Sequence, residues 1–492
     1  MTKRVFSHAE RFALYLAADG KCQSCGVKLS ETWHADHVHP FSKGGDTDVI
    51  NGQALCPACN LKKGARILGI LGEWTKPLRD WQARARRQYA IDRTRNFLVV
   101  ATPGAGKTTF ALRIAYDLLE ANIIRRVLIV VPSEPLKTHW ADKAHEVHIE
   151  LDPRWSNSFT SLASDFVGAV VTYQQIAAGV GAHRVRMLTH EVPTLAILDE
   201  VHHAGDNLSW GDSLKQALDH DNTFRLALSG TPFRQDNNQI PFVRYEDNQS
   251  QADFSYTYAD ALRDSVCRPI FFPTYEGDLE WLSRSGEIVK ATFETELRES
   301  ERRERLNTAI SENGEWLSST FKAAHEKLME VRQFSQPNAK GMVICKDQHH
   351  AKQVVELIKR LTGRLPAIAI SDEINASQTI KNFEASADLW IVSVKMVSEG
   401  VDIPNLRVGL YATNILSELF FRQFVGRFVR MQPDIEDQSS YIYIPRDPEL
   451  LQFATVIKQE RDHFLEEEIP KEPGVDKELI DPPPSRSPSL FM

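Results

Sequence analysis

The sequence predicts an α/β protein with two parallel-sheet domains, a helical connector between them and a small cysteine-bearing unit in front. Three observations predict this architecture. Short apolar segments alternate with helical stretches over residues 96–230, and the same alternation returns over residues 341–445. Strands that are apolar along their whole length are typical of parallel sheets covered on both faces. Two Cys-x-x-Cys pairs, at 22–25 and 56–59, precede both domains.

Length and composition fit a chain of several globular domains. Its 492 residues exceed what one hydrophobic core usually organises. Hydrophobic residues make up 42% and charged residues 25%, and no apolar run is long enough for a transmembrane helix. Residues 1–21 resemble a charged amphipathic helix and not a secretion signal, so we expect a cytoplasmic protein without a membrane partner. The net charge of −8 excludes a uniformly basic surface but leaves room for a local track that binds nucleic acid.

The N-terminal unit, residues 1–70, is predicted to hold zinc. In a cytosolic chain, paired cysteines favour a metal over a disulfide. Four thiolates form the ligand set of a closed structural zinc site: Cys22, Cys25, Cys56 and Cys59.

The first parallel-sheet domain is expected over residues 76–235. Its predicted strands are 96–102, 125–132, 168–173, 194–200 and 224–230. The segment 75–96 carries seven Lys or Arg against two Asp, which fits either a track for nucleic acid or a solvated helix face.

The remaining segments complete the predicted organisation. Residues 236–335 are polar and mostly helical in pattern, so we interpret them as a helical connector or insertion. The second parallel-sheet domain follows over 336–465. Residues 466–492 are acidic and then proline-rich, which predicts a disordered tail. The predicted strands of the second domain are 341–346, 365–371, 389–395, 407–413 and 440–445.

The stretch ATPGAGKTT, residues 101–109, predicts a phosphate-binding loop because it follows an apolar strand and opens a helix. Backbone amides from Gly104, Gly106 and their neighbours would cradle phosphates at the helix N-terminus. Lys107 would neutralise the β and γ phosphates, and Thr108 would ligate magnesium.

Two adjacent carboxylates end a later buried strand, in LDEVHH at 198–203. Asp199 suits magnesium coordination through water, and Glu200 suits polarising the water that attacks ATP. A plain turn would also accept adjacent acids, but the phosphate loop favours the catalytic interpretation.

Residues 76–450 resemble superfamily 2 helicases and translocases, whose fold is a pair of RecA-like domains. The motifs that carry the resemblance are LRDWQ at 78–82, VVPSEPL at 130–136, VVTYQ at 170–174, LSGTPFR at 228–234, SVKMVSEGVDIP at 393–404 and QFVGRFVR at 423–430. The resemblance implies that Gln82 reads adenine, that Gly400 and Asp402 contact the nucleotide, and that Arg427 and Arg430 are arginine fingers. The tryptophan before Gln82 and the sequence DEVH are closer to double-stranded-DNA translocases and to repair or restriction helicases than to RNA remodellers.

The stretch HADHVHP at 34–40, followed by CPACNLKKG at 56–64, resembles the HNH endonuclease family in its cysteine-flanked form, a ββα-metal fold. The resemblance implies that His37 is the general base, oriented by Asn51. Asp36 and Asn60 would hold one magnesium or manganese ion. The implied phosphate contact is Lys63, with Lys62 a second candidate, whereas His34 and His39 are expected to take no part in the chemistry. Gly52 departs from the family, where leucine is more usual.

Together these patterns predict an ATP-driven DNA translocase or helicase fused to a metal-dependent HNH endonuclease, using ATP, magnesium or manganese, and zinc. Its architecture suggests destruction of foreign DNA, in restriction or anti-phage defence. Repair or replication-fork processing is an alternative. So is a nucleotide-gated DNA sensor or scaffold whose zinc module binds DNA without cutting it. Since no target-recognition domain is apparent, a protein partner is a candidate source of specificity.

Overall fold

The computed structural model describes residues 5–37, 47–60, 72–92, 94–159, 161–163, 165–206, 208–230, 239–247, 249–275, 277–282, 287–370, 376–394, 403–432, 435 and 438–468. Its strands, β1 to β20 in chain order, are His34–His37, Gly52–Leu55, Asn96–Ala101, Arg126–Val131, Leu151–Asp152, Gly168–Thr172, Thr194–Leu198, Thr223–Ser229, Arg244–Glu246, Gln249–Gln251, Phe254–Tyr256, Ile270–Phe271, Thr274–Tyr275, Leu279–Leu282, Ile288–Ala291, Lys340–Cys345, Ala367–Ala369, Trp390–Val394, Leu406–Ala412 and Ser440–Pro445.

The helices alternate with these strands. They are His8–Ala17, Asp80–Asp92, Lys107–Glu120, Glu134–His145, Tyr173–Ala177, Gly181–His190, His203–Asp206, Leu208–Leu218, Tyr258–Arg263, Glu299–Ala309, Glu315–Phe334, Gln348–Thr362, Ala376–Ala385, Glu418–Val425 and Pro448–Glu468. Residues 57–60 are also helical. None of the described helices combines the length and the apolarity that a bilayer crossing needs.

The first domain contains a seven-stranded sheet in the order β11-β3-β8-β7-β4-β6-β5, parallel throughout. Its central strands are apolar and buried along nearly their whole length; β4, for example, is buried from Val127 to Val131. Helices cover both faces, as a sheet with no solvated side requires. Because all strands run the same way, their carboxyl ends meet at one edge, where the predicted nucleotide residues lie.

The second domain contains a parallel sheet in the order β12-β20-β19-β16-β18-β17, with β13 also paired to β20. The helix Glu315–Phe334 packs against it through Leu317, Phe321 and Leu328, which share a buried cluster with Val408. The two RecA-like parallel-sheet domains are therefore present. Every strand predicted in them is found, within a few residues at each end.

The segment 236–335 is less helical than the sequence pattern predicts. In its described residues it contains the short strands β9 to β15 besides three helices. Strand β11 extends the first sheet, while β12 and β13 extend the second, so the connector contributes strands to both domains. Strands β9 to β13 have two or three residues, too few to display an alternating pattern, whereas β14 and β15, which pair antiparallel, have four each.

The N-terminal unit is built on a hairpin in which β1 pairs antiparallel with β2. The helix His8–Ala17 packs across it and begins with a capping box, since Ser7 and Glu10 bond each other's backbone amides. A Cβ atom at Gly52 would lie 2.6 Å from the Leu14 side chain and 3.0 Å from Phe6. This close approach of the helix explains why glycine replaces the usual leucine.

Candidate nucleotide site and nuclease unit

The phosphate loop lies directly after β3, at the carboxyl edge of the first sheet, and opens the helix Lys107–Glu120. Gly104 and Gly106 have φ angles of +80° and +95°, which side chains other than glycine rarely adopt. Gly106 is the N-cap, so the unpaired amides of the first helical turn face the position that phosphates would occupy.

Side chains from the segment 79–82 hold this loop by its carbonyl groups. Arg79 Nη1 donates to the oxygens of Ala105 at 2.8 Å and Gly104 at 3.2 Å. Trp81 Nε1 also donates to the Ala105 oxygen, at 3.0 Å. Gln82 donates from Nε2 to the Gly106 oxygen at 2.9 Å and accepts the Arg79 amide with Oε1. The Gln82 amide is thus engaged with the loop, and its contact with adenine stays a prediction.

Glu200 contacts groups from two other segments of the chain, the phosphate loop and the residue after β8, and lies near His202 of its own segment. It accepts from Lys107 Nζ at 2.7 Å and from the Gly230 amide at 3.2 Å, and His202 Nδ1 lies 3.6 Å away. Burial disfavours its charged form, but Lys107 and His202 outweigh this effect and lower the pKa of Glu200 to about 2. Its φ of +45° is strained for a side chain other than glycine, as is common at functional sites.

Asp199 is held by two aromatic side chains. Trp140 Nε1 donates to its Oδ2 at 2.8 Å, and the Tyr173 hydroxyl donates to its backbone oxygen at 2.9 Å. Burial, followed by the neighbouring charge of Glu200, raises the pKa of Asp199 to about 6. A divalent cation beside it would favour the ionised carboxylate. Thr108 lines the same cavity, so the oxygen donors present there fit magnesium.

The two domains enclose these groups in one cavity of about 440 Å³. The second domain contributes Arg427 and Arg430, so the structure brings both predicted arginine fingers into the cavity of the phosphate loop. Burial lowers the pKa of Arg430 to about 10, which still leaves it cationic at neutral pH. The predicted nucleotide residues that line the cavity are Gly104, Gly106, Lys107, Thr108, Asp199, Glu200, Arg427 and Arg430.

The domains meet by direct packing at the phosphate loop. A Cβ atom on Gly104 would lie 3.2 Å from Val429 and 3.3 Å from Arg430. On the opposite side, a Cβ atom on Gly426 would lie 2.4 Å from Pro103. Glycines at these positions therefore allow the backbones of the two domains to approach closely.

The cavity lining also includes side chains to which the sequence analysis assigned no role, among them Trp74, Lys76, Arg79, His139 and Lys143. The first three belong to the run of residues just before Gln82. The basic segment 75–96 is therefore neither wholly a solvated helix face nor wholly a track for nucleic acid. Lys76 and Arg79 face the nucleotide cavity, Arg86 pairs with Asp117, and Arg84 and Arg87 are exposed.

The segments 130–136 and 170–174, expected to hold a nucleic-acid strand, are linked to each other near the nucleotide cavity. Lys137 Nζ donates to Gln175 Oε1 at 3.3 Å, one residue beyond each segment. Pro132 and Leu136 line the cavity. Their contact with nucleic acid stays a prediction.

Several predicted residues lie outside the described residues: 231–234, Gly400, Asp402, His39, Lys62 and Lys63.

The four cysteines of the N-terminal unit form one cluster. Their sulfur atoms all lie within 4.8 Å of one another, and those of Cys25 and Cys56 are 3.7 Å apart. Tetrahedral zinc with four thiolates requires a sulfur separation of about 3.8 Å. Gly26, with a φ of +74°, donates its amide to the Cys22 oxygen and closes the turn around the first pair. The residues present thus fit a structural zinc ion.

The predicted nuclease residues lie on and beside the hairpin. Asp36 and His37 are 2% and 4% exposed, and side chains alternate along a strand, so they project from opposite faces of β1. Gln53 donates to Asp36 Oδ2 at 2.9 Å, and His37 Nε2 lies 2.8 Å from the Thr47 hydroxyl. Neither Gln53 nor Thr47 was among the predicted site residues.

Asn60 offers a buried oxygen that suits a cation. Its Oδ1 has no hydrogen-bond partner within the described part of the chain, and burying an amide oxygen without a partner is costly.

Asn51 is held through its backbone amide, which donates to Asp48 Oδ1 at 3.3 Å. Burial, followed by the charge of Arg11, lowers the pKa of His34, and its expected non-catalytic role stays a prediction. The sharing of one ion by Asp36 and Asn60 stays a prediction.

A phosphate loop, paired acids and two arginines line one cavity between two RecA-like domains, which is the arrangement of a helicase-like core, and a four-cysteine cluster adjoins the N-terminal hairpin. Comparison with known families agrees. Residues 75–234 match the family described as Type III restriction enzyme, res subunit, and residues 22–66 match HNH endonuclease. The chain thus carries a ResIII helicase-like domain and an HNH endonuclease domain.

Two mycobacterial proteins are similar over most of the chain. "Uncharacterized protein ML1624" of Mycobacterium leprae is 41% identical over 405 residues, which cover 81% of this chain and 67% of that protein. "Uncharacterized protein Rv2917" of Mycobacterium tuberculosis is 42% identical over 401 residues, which cover 80% and 66%. The chain belongs to the same family as these proteins and spans about two thirds of their length.

Two solved structures share the fold. A fragment assigned to the HsdR subunit of a type I restriction enzyme from Vibrio vulnificus YJ016 has a TM-score of 0.53 at 17% identity, over 83% of this chain and 74% of that one. Dbp5 of S. cerevisiae, bound to RNA and ADP BeF3, has a TM-score of 0.50 at 12% identity, over 82% and 90%. At these identities the likeness concerns the fold alone.

Proposed function

We propose that this protein is an ATP-driven DNA translocase or helicase that carries its own metal-dependent HNH endonuclease. One observation supports the proposed ATP-driven translocase or helicase activity. Lys107, Glu200, Arg427 and Arg430 line a single cavity although they come from two domains. A cavity of this kind can bind the nucleotide on one domain and complete the catalytic charges only when the other domain is in contact.

The contacts of Lys107 suggest how hydrolysis would be prepared. Lys107 is paired with Glu200 at 2.7 Å. The β and γ phosphates would attract Lys107 and so release the Glu200 carboxylate to polarise the attacking water. Magnesium held by Thr108 and Asp199 would neutralise phosphate charge, and the two arginines would meet the charge that develops on the transferred phosphoryl group.

The nuclease part rests on the HNH unit. His37 would accept a proton from water, while a cation held by Asp36 and Asn60 would stabilise the leaving oxygen. The bond between His37 Nε2 and Thr47 would fix the orientation of the imidazole ring. One such unit contacts one strand, so we expect nicking. Double-strand breaks would need a second encounter or a second subunit.

For the biological role we propose the destruction of foreign DNA, supported by the match to a restriction-enzyme family and by the joined nuclease. A protein partner would then supply target recognition. Repair or fork processing is the second candidate, and cutting confined to forks or flaps would favour it. Unchanged sensitivity to phages and plasmids after deletion of the gene would contradict the defence role.

The activities are tested with wild type, Lys107→Ala, His37→Ala and the control His34→Ala. ATP hydrolysis is measured with single-stranded DNA, duplex DNA and RNA, and nicking is measured with and without ATP. We expect Lys107→Ala to abolish hydrolysis and His37→Ala to abolish nicking while sparing hydrolysis. His34 lies on the same strand, so His34→Ala should still nick DNA. Equal nicking by His37→Ala and wild type would refute the assignment of the base.

A further inference from the structure

Residues 72–79, which we call the strap, connect the nuclease unit to the motor and are fastened to the first domain. The Gly72 oxygen accepts from the Tyr116 hydroxyl at 3.0 Å. Gly72 also packs so closely on His148 that an added Cβ would lie 2.5 Å from its ring. Further along, Lys76 forms an ion pair with Glu146. The strap therefore has a defined course across the domain.

The strap also forms one wall of the nucleotide cavity. Trp74, Lys76 and Arg79 line that cavity together with Lys107. The Trp74 ring packs edge-on against Tyr116, with centroids 5.5 Å apart, and the Arg113 guanidinium lies 5.0 Å from its centre. Arg79 bonds the carbonyl groups of the phosphate loop itself. A nucleotide that fills the cavity would therefore contact the connection to the nuclease.

We propose that the strap couples the two activities, so that nucleotide binding, before any hydrolysis, increases DNA nicking by the HNH unit. This proposal rests on the proposed function. A ligand that contacts the strap favours the strap conformation to which it binds best. A strap fastened from Gly72 onward leaves fewer residues between the nuclease unit and the motor, which raises the effective concentration of that unit at DNA held by the motor. Coupling of this kind is reciprocal, so DNA bound at the HNH unit should tighten nucleotide binding by the same factor.

The chain offers a matched pair of variants. Lys76 and Lys143 both pair with Glu146, and both line the cavity. Only Lys76 belongs to the strap, whereas Lys143 lies on the helix Glu134–His145. Lys76→Ala therefore loosens the strap, and Lys143→Ala removes a similar cavity charge without doing so. A flexible Gly-Ser insertion of about six residues directly before Gly72 would add chain between the nuclease unit and the fastened strap without removing a cavity side chain.

Nicking of supercoiled plasmid is measured for each full-length variant with magnesium, with and without a non-hydrolysable ATP analogue. The analogue is used at saturation, judged from the dissociation constant of each variant. We expect the analogue to raise nicking at least about 5-fold in wild type and Lys143→Ala, and less than about 2-fold in Lys76→Ala and the insertion variant. Hydrogen exchange of residues 72–79 should slow when wild type binds the analogue.

Two results would overturn the coupling. One is active wild type whose nicking does not respond to the analogue. The other is an insertion variant that responds fully. A wild type that neither nicks DNA nor hydrolyses ATP would instead contradict the proposed function. Unchanged hydrogen exchange of residues 72–79 on analogue binding would overturn the strap proposal in that case as well.

Discussion

The contact between Gly426 and Pro103 offers a direct test of whether the two domains must touch for ATP hydrolysis. Gly426 has helical backbone angles, with φ −58° and ψ −16°, so alanine fits its backbone without strain. Space is the obstacle. The added Cβ would lie 2.4 Å from Pro103 Cβ and 2.7 Å from Pro103 Cγ.

The size of the effect follows from these distances. Carbon atoms pack at about 3.5 Å or more, so Pro103 and Gly426 would have to separate by roughly 1 Å. Pro103 is a rigid ring beside the phosphate loop and cannot rotate away. Such overpacking costs about 1–3 kcal/mol, more than the roughly 0.5–1 kcal/mol that alanine gains over glycine in a helix. A 1 Å displacement of the arginines from the phosphate loop is expected to lower kcat about 100-fold.

Steady-state ATP hydrolysis with saturating DNA measures this effect. We expect KM for ATP to change less than kcat, because the phosphate loop and Gln82 both belong to the first domain. Gly277→Ala is the control, since among the described residues a Cβ there would meet only Trp316, at 3.9 Å. It should behave as wild type. A wild-type kcat in Gly426→Ala would show that this contact does not persist in the hydrolysing state.

Two further substitutions test the metal sites. Cys56→Ser should reduce bound zinc from about one equivalent to near zero by elemental analysis, while ATP hydrolysis stays within about 2-fold of wild type; retained zinc would contradict the cluster. Trp140→Phe removes the indole N–H that bonds Asp199, so the magnesium concentration for half-maximal hydrolysis should rise about 10-fold, as expected for losing a hydrogen bond to a charged group. The control is Trp155→Phe, because the Trp155 N–H has no partner among the described residues; equal responses would refute the argument.

The regular parts of both sheets could be predicted from sequence because their strands are buried on both faces and appear as unbroken apolar runs. The same reasoning could not find β11, β12 or β13, which are two or three residues long and are strands only because a sheet edge accepts them. Gly52 illustrates another limit. Its departure from the family had no visible cause until the helix His8–Ala17 was seen packed against it.

The sequence by itself determined the chemistry that is local in the chain. The phosphate loop, the adjacent acids and the paired cysteines need residues at fixed short spacings, and such spacings can be read directly. Only the tertiary structure decided which distant groups meet. Arg427, Lys107 and Trp74 line one cavity because the two domains pack together through a shared buried cluster. That packing depends on contacts between residues hundreds of positions apart, which no local pattern encodes.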